Sequence, residues 1–89
     1  MKWTKKKALD DTLKAMIANG DISKDQGGRA LKLNKQMWNT WKKKKYSKSV
    51  KKVKSIIKKI KKKAQSGSHK TLALDQADCL LETLNKFYV

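Results

Sequence analysis

The chain has no proline, one cysteine, one histidine and one arginine among its 89 residues, and each shortage excludes something. Without proline, no residue removes a backbone donor from a helix interior. Cys79 alone can form neither an internal disulfide nor a cysteine-based zinc site, a usage that fits a reducing cytoplasm. His69 is likewise alone, so no Ser/His/Asp or Cys/His set can be assembled, and it reads as a loop residue. Asp10 and Asp11 are adjacent on a helix and diverge, so they make no paired-carboxylate site. No enzyme activity, metal, cofactor or small-molecule substrate is therefore expected.

Acid is the scarcest chemistry relative to its opposite. Seven Asp and Glu face 24 Lys and Arg, for a formal charge of +17, and the excess is regional. From Gln26 to Lys70 there are 17 basic residues and no acid, whereas residues 75–89 carry three acids and one lysine. A surface that repels itself this strongly is relieved when a polyanion binds and releases counterions. Lysine is a point charge with weak geometric demands, so much of the affinity should be directed at backbone phosphates. No apolar run approaches membrane-spanning length, and the opening Met1-Lys2-Trp3-Thr4-Lys5-Lys6-Lys7 lacks the apolar block of a secretory signal. The expected location is the cytoplasm: the nucleoid, or the host cytoplasm for a phage-encoded protein.

What is present is helical periodicity. Leu9, Leu13, Met16 and Ile17 recur at helical spacing between Thr4 and Asn19, with Asn19-Gly20 as a stop. Ser23, three residues before Gln26, predicts a capping box that opens a short second helix ending near Lys32. Asn34 is a good N-cap for a third helix to about Lys45, with Met37, Trp38 and Trp41 on its apolar side. After a basic connection from Lys42 to Ser49, Val50, Val53, Ile56, Ile57, Ile60 and Ala64 mark a fourth helix over 49–64. Gln65 to Lys70 is linker-like. Leu72, Ala73, Ala77, Leu80, Leu81, Leu84 and Phe87 then mark a fifth helix over 71–87. No strand alternation and no internal repeat is visible. The expected fold is all-α, a compact bundle of about five helices. Residues 1–65 form the basic domain with its lysine-rich helix, 66–70 the linker, and 71–89 a C-terminal helix for packing or dimerisation.

The run from Ile22 to Lys42, ISKDQGGRALKLNKQMWNTWK, resembles the helix-turn-helix of phage and bacterial repressors. The resemblance covers about a quarter of the chain. It implies that Gly28 allows close crossing of the two motif helices, that Leu31 and Leu33 bracket the turn, and that Trp38 and Trp41 anchor the recognition helix from inside. It also implies outward-facing base readers. Asn34, Lys35, Gln36, Asn39, Thr40 and Lys43 are the candidates, because Gln and Asn can bond adenine bidentately and Lys can reach guanine or phosphate. Candidate phosphate-binding residues are Arg29, Lys42, Lys44, Lys45, Lys48, Lys51, Lys52, Lys58, Lys59 and Lys62. The function expected is a small transcriptional regulator that reads duplex DNA as a homodimer, the leucine-rich C-terminal helix providing the dimer contact. The competing expectation is a non-specific nucleoid-associated or RNA-binding packaging protein. Stacking of Trp3, Trp38 and Trp41 on single-stranded bases ranks below core packing, and a membrane-active or partner-docking role for the helix over 49–64 ranks below both nucleic-acid functions.

Overall fold

The computed structural model describes residues 1–89 as four α-helices: α1 (Trp3–Asn19), α2 (Lys24–Lys42), α3 (Tyr46–Lys63) and α4 (Ser68–Phe87). Connections of three or four residues make each helix antiparallel to the one before. Each helix packs on its chain neighbours, α4 closes against α1, and the backbones of the diagonal pairs stay apart. The body is 35 Å long and 20–22 Å across. No helix is long and apolar enough to cross a membrane.

The core is the sum of the apolar stripes. Leu9, Leu13 and Met16 from α1, Met37 from α2, Val53, Ile56 and Ile60 from α3, and Leu80 and Leu84 from α4 are fully buried in one cluster. The C-terminal segment thus shares the core of the others. Its surplus apolar surface shrinks accordingly: Leu80 and Leu84 are spent inside, and Leu72 and Phe87 are the large apolar side chains α4 leaves exposed. His69 lies in the first turn of α4, not in a loop, with Nδ1 3.2 Å from Asp21 Oδ2.

Four helices replace the expected five because residues 24–42 form one continuous helix. The turn expected at Lys32-Leu33 is absent, and with it the helix-turn-helix geometry assigned to 22–42. The physical reason is local and tertiary together. Lys32 and Leu33 are good helix formers, and no glycine or proline there interrupts propagation. Asn34, whose amide could have capped a new helix, is fully buried instead, and its Nδ2 donates to the Lys6 carbonyl at 3.0 Å and to Asp10 Oδ1 at 2.9 Å. Lys6 is also buried and pairs with Asp10. This polar knot fixes α2 against α1, since breaking any member strands a buried charge or dipole.

Two glycine roles also change places. A Cβ on Gly28 would meet nothing within 4 Å, whereas one on Gly27 would lie 2.4 Å from Ile17 Cγ1. The close helix approach expected at Gly28 therefore occurs at Gly27. The predicted caps fare better. Ser23 Oγ accepts from the Gln26 N–H at 3.1 Å, although the Gln26 side chain does not reach back and instead accepts from Lys59 Nζ at 3.0 Å. Gly20, at φ 77°, ends α1 with Asp21 N–H bonded to the Met16 carbonyl.

Candidate nucleic-acid interface

α3 carries Lys48, Lys51, Lys52, Lys54, Lys58, Lys59, Lys61, Lys62 and Lys63, nine lysines and no acid. Its Val and Ile stripe faces inward, so the 3.6-residue period sends the lysines outward. They run for about 22 Å along the outer ridge at 1.5 Å per residue. Lysines three and four apart, such as Lys54, Lys58, Lys61 and Lys62, are neighbours on this ridge and repel one another by roughly 0.2–0.5 kcal/mol per pair.

None of these nine ammonium groups has an acidic partner. The ion pairs of the molecule are Lys6–Asp10, Lys7–Asp11, Arg29–Asp25 and His69–Asp21, all outside α3. Lys7 donates to Asp11 at 2.9 Å and holds that carboxyl below its ordinary range, so this acid is already engaged. Lys59, bonded to Gln26, is the one α3 lysine whose head group has a protein partner. A groove of about 340 Å³ runs between α2 and α3 beside Leu33, Ser55, Lys59 and Lys63, and one of about 490 Å³ runs between α3 and α4. Lys58 and Lys62 stand on the crest between them and line both.

The candidate phosphate contacts Arg29, Lys42, Lys44, Lys45, Lys48, Lys51, Lys58 and Lys62 are exposed, and Lys52 and Lys59 are partly buried. Lys61 and Lys63, from the lysine run 61–63 that the sequence already marks for polyanion contact, belong to the same face, as does Lys54, which was missed. The signal for Lys54 was legible, since 54, 58 and 61 repeat at one-turn spacing. Lys44 is unusual in its backbone. At φ 61° it occupies the left-handed position of a helix C-terminal cap, with its N–H on the Trp41 carbonyl and the Lys45 N–H on the Thr40 carbonyl. Glycine is the ordinary occupant of that position.

The base-reading set is divided by the structure. Lys35 and Asn39 are exposed and Gln36 is partly so along the outer side of the C-terminal half of α2, and Lys43, the residue that caps its end, is exposed too. Asn34 is a correction: fully buried, it has nothing to present to a base. Thr40 is committed too, because its hydroxyl bonds the Gln36 and Met37 carbonyls at 3.0 and 2.9 Å and meets Ser49 Oγ at 2.7 Å. The tryptophans, expected in the core, lie at one end of the bundle instead: Trp38 and Trp41 are partly buried, and only Trp41 packs against the core cluster. Trp3, Trp38 and Trp41 form a chain with centroid spacings of 5.0 and 4.8 Å, continued by Tyr88 and Tyr46. Trp3 stays half exposed.

No protein-family model, no curated protein and no solved structure matches the chain. At the level of class, the fold is an antiparallel four-helix bundle with one strongly basic side. Charge distribution and side-chain chemistry are the grounds for a functional reading.

Proposed function

We propose that the protein binds nucleic acid through the phosphate backbone, largely without regard to sequence, using the outer faces of α2 and α3. The observation that carries this reading is the α3 ridge, nine lysines with no acid of their own to neutralise them. Their mutual repulsion destabilises the free protein and is relieved by phosphates, which supplies binding energy through counterion release. Lys44 adds support. This exposed lysine adds its charge beside the ridge, at a left-handed backbone position that costs roughly 1–2 kcal/mol relative to glycine.

The test is a titration of random duplex and single strands by fluorescence anisotropy across salt. About five phosphate contacts give a log–log slope near −4.5 on duplex DNA. A slope shallower than about −2 sinks the reading. A second reading, a sequence-selective regulator, is favoured by the exposure of Lys35, Gln36 and Asn39 on one face of α2 and of Lys43 at its cap. A random-sequence selection separates the two: an enriched site that Gln36→Ala and Asn39→Ala abolish supports the regulator, and no enrichment supports backbone binding.

A further inference from the structure

The groove between α3 and α4 has a composition that backbone binding does not explain. Its rim is lysine, from Lys54, Lys58, Lys61 and Lys62. Its floor is apolar, made by buried Ile57 and partly buried Leu81. At its α4 edge stands the carboxylate of Asp78, exposed and without an ion-pair partner although four lysines line the same space. A carboxylate repels phosphate and accepts hydrogen bonds only. An apolar floor gives a phosphate nothing.

We propose that this groove is a subsite for one unpaired guanine nucleotide. Its volume, about 490 Å³, falls in the range of small-ligand sites. The base lies against Ile57 and Leu81, the lysines hold the flanking phosphates, and Asp78 accepts hydrogen bonds from the base edge. Guanine alone offers two adjacent donors there, N1–H and the N2 amino group, matching both oxygens of a carboxylate. Adenine and cytosine set one amino group beside a repelling lone pair, and uracil or thymine sets one N–H between two carbonyls. That edge is occupied in a duplex, so the nucleotide must be unpaired.

The proposal rests on the nucleic-acid reading, and the experiment keeps the two apart. Ten-nucleotide thymidine strands carrying one central guanine, adenine or cytosine are titrated with the full chain by anisotropy. The guanine strand should bind about tenfold more tightly, the size of one good bidentate contact. Asp78→Ala, at an exposed position where circular dichroism should show an unchanged helix content, should remove the preference by weakening the guanine strand severalfold while raising affinity for the other strands slightly. Ile57 and Leu81 methyl resonances should move with the guanine strand and not with the others. Equal binding of all strands by the unaltered protein overturns the subsite. So does an Asp78→Ala protein that gains equally on every strand and keeps its preference, because Asp78 would then act only as a charge. Loss of salt-dependent binding to all strands and duplexes fails the nucleic-acid reading itself, and the subsite with it.

Discussion

α3 and α4 are neighbours in the bundle, of 18 and 20 residues, and they bury equivalent faces. Val53, Ile56 and Ile60 on one, and Ala73, Ala77, Leu80 and Leu84 on the other, are all fully buried. Their outer faces are opposite in character. α3 exposes lysine without acid, whereas α4 exposes Asp75, Asp78 and Glu82 and has Lys70 and Lys86 near its ends. Packing accounts for the inner faces and places no demand on the outer ones. A surface shaped by folding alone would intersperse the two signs, which lowers repulsion. On the reading proposed above, the segregation reflects a polyanionic partner whose contact lies on α3.

The equivalence of the inner faces is the part that carries the largest effect. Ile56→Ala and Leu80→Ala should each lower unfolding free energy by about 2–5 kcal/mol in urea titrations. A Leu80→Ala protein that melts like the parent would break the comparison and make α4 an appended arm. The outer faces should then respond unequally. Exchanging Lys58, Lys59 and Lys62 together for Gln should flatten the duplex salt slope by about 3 and weaken binding on the order of 100-fold at physiological salt. Asp75→Asn with Glu82→Gln should leave that slope unchanged. Equal slope changes from the two sets would erase the distinction between the helices.

A smaller effect concerns what holds the basic side in place. Gly27→Ala forces its new carbon onto Ile17 and should cost about 1–3 kcal/mol by thermal melting, despite the better helix propensity of Ala. Gly28→Ala, into open space, should gain up to about 1 kcal/mol. If both substitutions stabilise, the seating of α2 on α1 at this point is looser than its geometry indicates.

The sequence-level reading succeeds where one physical signal acts alone. The stripes of α1, α3 and α4 are written in apolar spacing, and Ser23 and Gly20 are caps whose partners lie within a few residues. It fails where distant residues compete for a local signal. Asn34 has the chemistry of a cap, but Lys6 and Asp10, 28 and 24 residues earlier, supply its partners, so the helix runs through. Gly27 and Gly28 are indistinguishable in sequence, because only the position of Ile17 decides which one must lack a side chain. Of the candidate site, the regional charge was legible at once, and the loss of Asn34 and Thr40 from it was not. Both were removed by hydrogen bonds to elements whose placement the sequence pattern does not encode.

The two left-handed helix caps give the smallest and sharpest comparison. α1 ends on Gly20 at φ 77°, and α2, leading into the lysine ridge, carries Lys44 at φ 61° in the equivalent position. Glycine enters this region freely, and lysine does so against a steric cost between its Cβ and the backbone. Lys44→Gly should therefore raise unfolding free energy by about 1 kcal/mol, the steric relief being partly offset by glycine's greater freedom when unfolded. Gly20→Lys should lower it by about the same amount, since nothing crowds that position and only the backbone objects. Binding should move the other way at residue 44. Loss of one phosphate contact should reduce the salt slope by about 0.9 even as the protein becomes more stable. A Lys44→Gly protein that gains stability and keeps its full salt slope would show that Lys44 is a tolerated cap, and that the basic surface begins only at α3.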